Sequence, residues 1–337
     1  MTLAADPIDT VREALLDGGG VPVAGGTKPA LTGALDVSGL RGILEYDPAE
    51  LTLTALAGTP LREIVTALAE HRQYLPFDPP FVDAGATLGG TVAAGLSGSG
   101  SHRHGGLRDF ILGVRFLDGT GRLVGGGGKV VKNAAGFDLP KLMVGSLGRL
   151  GVLVQVSVKV FPLPEAWGTL RVQASDVRDA VALMGRLATA PFELEALDLD
   201  PPGTLLLRLS GPRATLEPRL RALARFIDRP ATVEDEAVWH GARELDSASL
   251  AKVALTPHAL AGLDDALGAF PRRYARGGHL AWVAAPPGEL DALLRERGLG
   301  GVLLRGSGGP LLGVRRGGAF AARIRAALDP DGRFPEI

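Results

Sequence analysis

Residues 86–100 read ATLGGTVAAGLSGSG, a stretch with no side chain bulkier than leucine. So bare a backbone can approach a neighbouring strand, a flat ring or a pyrophosphate closely, because glycine lacks the Cβ that otherwise holds atoms apart. A flexible Gly/Ser linker is the other reading of this composition. Leu88, Val92 and Leu96 recur every four residues, however, which lines them up along one side of a helical turn. That pattern favours a cradle, with small residues toward a ligand and the branched residues toward a core.

A second small-residue turn lies upstream, where Val23 leads into Ala24, Gly25, Gly26, Thr27 and Lys28. A short strand running into glycines lets several backbone N–H groups converge on an anion. The run lacks the Walker and Rossmann spacings, so a plain strand-to-helix turn is its other reading.

The rest of the chain reads as an α+β protein. Val11, Leu15 and Leu16 predict a helix over 9–17 that stops at Gly18 to Gly20. LTLTALAG reads as a buried strand, and TPLREIVTALAEH as a helix capped by Thr59. FILGVRFLD, GRLVGGG and GVLVQVSVKVFPLP read as strands, and Pro162 and Pro164 mark a boundary. Beyond Trp167 the order becomes strand, helix, strand, strand, helix, strand, and then repeats, which predicts a cap of two ferredoxin-like βαββαβ halves. In the final helix Phe320, Ile324 and Leu328 share one face, expected to pack back on the N-terminal domain. The expected division is 1–165, in subdomains 1–78 and 79–165, then a cap over 166–310 and a returning segment over 311–337.

At 337 residues with a formal net charge of −1, the chain is long enough for two domains and carries no cationic excess for nucleic acid. It contains no cysteine, so any iron–sulfur cluster must sit on a partner. The acidic, amphipathic N-terminus does not read as a signal peptide, and no apolar run approaches the ~18 residues of a membrane span. The expectation is a cytoplasmic protein without direct membrane insertion, any membrane contact being peripheral or through partners. Arginine dominates the cations: there are six lysines, five of them before residue 165, and a single asparagine, Asn133. The scarcity of these residue types marks the N-terminal half as the chemically constrained one.

AGGTK, ATLGGTVAAG, GLRDFILGVRFLDGTGRL and KNAAGFDLPKLMVGSLGRLGVL, in that order and spacing, resemble the PCMH-type FAD-binding domains of the vanillyl-alcohol-oxidase fold. The resemblance covers roughly residues 20–165. Within the family, KNAAGFDLPKLMVGS is most similar to the FAD-binding subunits of bacterial glycolate oxidases. The resemblance implies that Ala24, Gly25, Gly26, Thr27 and Lys28 form a pyrophosphate loop. It places Pro79, Ala86, Thr87, Gly89, Gly90, Ala93, Ser97 and Gly98 beside the pyrophosphate and isoalloxazine, and has Val152 offer backbone groups to the flavin. Asn133 either touches flavin or, with Asp138, caps the turn around Gly136. Relatives with a histidyl flavin often carry that histidine where this chain has Ala24, so FAD is expected to be held non-covalently.

The His-x-Gly-Asp/Asn-x-x-His cluster of active 2-hydroxy-acid dehydrogenases is absent, and His240, His258 and His279 are scattered and read as structural or surface residues. The tail GRFPEI lacks the Asn-Pro-Gly ending of many relatives, which puts any flavin contact from the tail in doubt. His102 and His104 read as an exposed pair in a polar loop, with Arg103 and Arg108 as solvated cations or phosphate contacts. Arg272, Arg273 and Arg276 read as a carboxylate clamp, a solvated edge or a docking patch. The expectation is therefore an FAD-binding subunit that works with a catalytic FAD subunit and an iron–sulfur subunit on a small 2-hydroxy acid. A stand-alone FAD oxidoreductase and an assembly subunit with little flavin are the alternatives.

Overall fold

A strand buried on both faces needs neighbours in its sheet and elements stacked over it, and Thr52–Leu56 is such a strand, its first four residues being buried. In the computed structural model, which describes residues 6–18, 20, 22–23, 35–128, 137–239, 245–315 and 317–335, it becomes the second strand of a five-stranded sheet. The strands are β1 (Ile43–Asp47), β2 (Thr52–Leu56), β3 (Ile111–Leu117), β4 (Leu123–Gly127) and β5 (Val152–Lys159). They pair antiparallel in the order β1-β2-β5-β3-β4.

The longer helices around this sheet include α1 (Pro7–Gly18), α2 (Leu61–Glu70) and α3 (Leu88–Ala94). Val11 and Leu15, one turn apart on α1, enter a core with Leu35, Val37, Leu40, Leu117, Val152, Val154 and Phe334. Thr59 does not cap α2 as expected. Pro60 takes the cap position without a side-chain bond, and the buried Thr59 hydroxyl instead accepts from Gly42 N at 2.9 Å and donates to Gly42 O at 3.1 Å.

Residues 163–315 build a nine-stranded antiparallel sheet from β6 (Ala166–Gln173), β7 (Ala196–Asp200), β8 (Thr204–Gly211), β9 (Ala231–Glu234), β10 (Leu250–Ala254), β11 (Arg272–Ala275), β12 (Leu280–Val283), β13 (Gly300–Arg305) and β14 (Leu311–Gly313). Its order is β9-β6-β8-β7-β11-β12-β10-β13-β14. The helices are α4 (Val177–Ala188), α5 (Arg213–Ile227), α6 (Pro257–Leu267) and α7 (Pro287–Glu296), so the chain makes two successive βαββαβ passes. The second strand of each pass, β7 and β11, joins the halves at Leu199 and Tyr274.

A Cβ on Gly168 would meet Leu220 of α5 at 2.7 Å, and one on Gly301 would meet Leu294 of α7 at 3.3 Å, so these helices cover one face of the sheet. Strand alternation and register then set Asp198, Arg273, Trp282 and Lys252 on the opposite face.

The last helix, α8 (Gly318–Leu328), buries no residue, and Phe320 is 60% exposed. Its apolar face is therefore not the anchor that the sequence suggested. The hold lies beyond it: buried Asp329 accepts from Arg333 N at 2.8 Å and Phe334 N at 2.9 Å, and Phe334 is 1% exposed. Arg333 also donates to Leu16 O at 2.7 Å.

The chain resolves into two compact units, Met1–Ser97 with Gly106–Pro162 and Arg316–Ile337, and Gly98–Gly105 with Leu163–Arg315. The segment 98–105 thus goes with the second unit, although it sits within the first in sequence.

Phe334→Ala is expected to destabilise the first unit by ~3–5 kcal/mol, as large aromatic deletions from cores do, whereas exposed Phe320→Ala should stay within about 0.5 kcal/mol. Equilibrium denaturation of the two variants checks the contrast; equal losses would mean that α8 is the anchor.

Candidate functional site

Thr87 caps α3, its hydroxyl accepting from Gly90 N at 3.2 Å, and Gly95, left-handed at φ 59°, ends it. Every early amide of the helix is used within the protein. Leu88 N donates to Thr59 O at 3.0 Å, Gly89 N to Ala57 O at 2.7 Å and Thr91 N to Thr87 O at 2.9 Å. Ala86 likewise donates to Phe81 O and accepts from Leu61 N. Ala86, Thr87, Gly89 and Gly90 can therefore serve a ligand by shape rather than by donating these bonds. Gly89 has a packing reason of its own, since a Cβ there would lie 2.6 Å from the Ala57 Cβ and 2.8 Å from its carbonyl oxygen.

The far end of α3 meets the turn after Met143. Gly145 N donates to Val92 O at 2.9 Å and Leu147 N to Ala93 O at 2.8 Å. Leu147 holds φ 57°, a left-handed conformation disfavoured for a branched side chain. Thr91 on α3 and Ser146 in the turn are almost fully buried, at 0% and 3% exposure, and neither hydroxyl oxygen has a hydrogen-bond partner in the structure. Buried hydroxyls without partners are costly, on the order of 1–3 kcal/mol each, unless a ligand or water completes them. Sequence reading passed over both residues. The available signal was a lone hydroxyl in each of two apolar stretches, GGTVAAG and LMVGSLG.

Among the other expected cofactor residues, buried Ser97 uses its hydroxyl to accept from Leu107 N at 2.9 Å, and the Gly98 carbonyl accepts from Ser101 N. Pro79 is half-buried in the turn before α3. Val152 opens β5 opposite Leu117 with its side chain in the core, so only its backbone could face a ligand. Asp138 caps the helix Leu139–Met143 by accepting from Lys141 N at 3.2 Å. Ala24, Gly25, Gly26, Thr27, Lys28 and Asn133 lie outside the described residues, as does His240.

The second unit holds a separate polar centre. Arg272 is tied to Asp264 and Arg273 to Asp200, so neither is the solvated cation or open clamp anticipated from sequence. Arg276, at φ 58°, donates its backbone N–H to Asp198 at 3.3 Å. Lys252, the one lysine beyond residue 165, was not singled out from sequence. Burial and, secondarily, Arg276 push its pKa from 10.5 down to about 8. His102 and His104 are half-buried rather than freely exposed, and burial lowers the His102 pKa. His104 reaches Glu195 at 3.2 Å, and Arg103 pairs with Glu193 and Glu195. His258 and His279 are exposed. Among the described residues, no group of three or more histidine, aspartate or glutamate side chains could hold a metal ion.

Residues 13–126 match the FAD binding domain family. Glycolate oxidase subunit GlcE of Escherichia coli (strain K12) is 41% identical over 196 residues, covering 56% of this chain and 56% of that protein. Glycolate oxidase subunit GlcD of Bacillus subtilis (strain 168) is 31% identical over 185 residues, covering 54% of this chain and 39% of that protein. The chain thus spans about half or less of the length of these relatives. A solved structure of alkyldihydroxyacetonephosphate synthase superposes with a TM-score of 0.71 over 98% of this chain and 75% of its own length; at 16% identity the likeness is one of fold.

Two outcomes follow from this geometry. Gly89→Ala should lower the stability of the first unit by ~1–3 kcal/mol, because the added methyl overpacks against Ala57; an unchanged denaturation midpoint would mean that Gly89 is not in close contact. Lys252 binds fewer protons folded than unfolded between about pH 8 and 10.5, so stability should rise with pH across that window. Lys252→Met should flatten the rise, and the Lys252 Cε resonance of 13C-lysine-labelled chain should titrate near pH 8. A midpoint at 10 or above would refute the depressed value.

Proposed function

We propose that this chain, whose residues 13–126 match the FAD binding domain family, is the FAD-binding subunit of a multi-subunit oxidase of glycolate or a related 2-hydroxy acid. The family match is the observation that carries the reading. Ala24 to Lys28 would hold the pyrophosphate and Ser97 and Gly98 would flank the ring system. When bound, FAD supplies two-electron redox chemistry that no side chain can. The chain's own residues orient it, exclude water and spend the early α3 amides on holding the helix in place.

The chain is similar to two differently named glycolate oxidase subunits, which supports a complex in which a sister flavoprotein supplies the catalytic base. The absence of cysteine assigns any iron–sulfur cluster to a third component. FAD is held without a covalent bond, since no cysteine is present and Ala24 stands at the histidyl position. No helix among the described residues is long and apolar enough to cross a membrane, and we place the subunit in the cytoplasm, at a membrane only through partners.

A stand-alone 2-hydroxy-acid oxidoreductase is the second reading: Lys252 stands on the face of the wide sheet opposite its helices, with burial lowering its pKa to about 8, so its neutral amine is the group to test as the base above that pH.

Purified chain should bind FAD with micromolar or tighter affinity and release it entirely on acid precipitation, and Gly26→Asp should abolish binding by opposing the pyrophosphate charge. Anaerobic stopped flow with glycolate or D-lactate then separates the readings. Slow or absent flavin reduction by the chain alone, made fast by its sister subunits, is the expected result. Bleaching at ~1 per second or more by the isolated chain, lost in Lys252→Met, would reject the accessory role.

A further inference from the structure

The segment 98–105 leaves the cradle at Ser97, belongs to the second unit and returns at Gly106. Its neck is pinned. Ser97 Oγ accepts from Leu107 N at 2.9 Å, and Gly106 lies so close that a Cβ there would meet the same oxygen at 3.0 Å. The segment itself is fastened by two carboxylates, one just before β7 and one in its middle. Glu195 is 2% exposed and accepts from Ser210, Arg103 and His104, while Arg103 also reaches Glu193 at 3.0 Å. Asp198 is 1% exposed and accepts from the Ser99 hydroxyl and from Arg276 N. His102 lies against the turn after Arg276, where a Cβ on Gly277 would meet its ring at 2.9 Å.

A buried carboxylate is tolerated only while it is paired and hydrogen-bonded. Were 98–105 to leave, Glu195 would lose Arg103 and His104, and Asp198 would lose Ser99, with both groups still buried in β7 and its approach. The segment is therefore held to the second unit much more firmly than a loop of Gly, Ser and His would suggest. Its first residue is nonetheless the direct covalent continuation of Ser97, and Gly98 and Ser97 are both among the residues that the proposed FAD site uses.

We propose that Glu195 and Asp198 are positioning residues for the flavin-binding backbone: by holding 98–105 they fix the course of the chain at Ser97 and Gly98, so that flavin affinity is set in part from the second unit. The inference rests on the FAD reading given above. It makes the cap sheet a regulator of cofactor retention, because anything that disturbs β7 is transmitted along the covalent chain to Ser97.

The test uses the full-length chain with Glu195→Gln, Asp198→Asn and the double variant, each verified as folded by circular dichroism. Trypsin cleavage after Arg103 reads release of the segment, and FAD titration by flavin fluorescence reads affinity. Losing one charge-assisted bond to a buried group corresponds to about a tenfold change. The double variant is expected to be cut at Arg103 at least about tenfold faster and to bind FAD about tenfold more weakly. Asp264→Asn, which breaks a different buried ion pair of the same unit, should leave both readouts near wild type. Arg103→Lys should retain most of the affinity that Arg103→Met loses. Faster cleavage with unchanged FAD affinity would overturn the coupling, and unchanged cleavage would overturn the fastening itself. Failure of the wild-type chain to bind FAD would remove the cofactor reading and the coupling with it, and is told apart because Arg103 protection is measured without FAD.

Discussion

The close seat of α3 on β2 and its flanking turn governs the first unit. Gly89 and Leu88 donate directly to the carbonyls of Ala57 and Thr59, a backbone-to-backbone approach that a Cβ at Gly89 would block at 2.6 Å. Because the early amides are spent on this attachment, α3 is rigidly placed, and the turn 144–147 can then bond to the carbonyls of Val92 and Ala93. The small-residue helix is thus first a packing device.

The second unit solves a different problem. Doubling a βαββαβ pass side by side makes one wide sheet whose helices lie on one face, so the other face must be tolerable without them. Here that face carries Asp198, Asp200, Arg273 and Lys252, and the acids are matched by Arg273, by Ser99 and by the Arg276 amide. Lys252 bears the cost of this arrangement in its depressed pKa. Segment 98–105, sequence-adjacent to the cradle, supplies some of the partners of Asp198 and Glu195, beside Arg276 N and Ser210, so the polar character of the sheet and the course of the chain beyond Ser97 are not independent facts.

The C-terminal segment shows how little of a helix need be buried for it to belong to a domain. Residues 329–334, not α8, make the attachment, through Asp329 bonding the amides of Arg333 and Phe334 and through Phe334 entering the α1 core. Gly119 permits it, because a Cβ there would lie 2.7 Å from the Asp329 Cα.

Much of this was legible in the residues alone. The period of Leu88, Val92 and Leu96 located α3 and the two strand-helix-strand-strand-helix-strand passes foretold the wide sheet, because these are local patterns that backbone geometry and binary patterning dictate; FAD was legible only through the resemblance of four motifs, in their order, to a known family. What the sequence could not contain was which neighbour each polar group would find. Thr59 looks like a helix cap and instead bonds Gly42; His102, Arg103 and His104 look like a solvated loop and instead meet the second unit's buried Glu195 and the Arg276 turn; Phe320 looks like an anchor and is exposed while Phe334 is not. Local propensity is a property of a few consecutive residues, whereas the pairing of a buried charge or hydroxyl depends on atoms brought together from distant parts of the chain, and only the tertiary structure decides those.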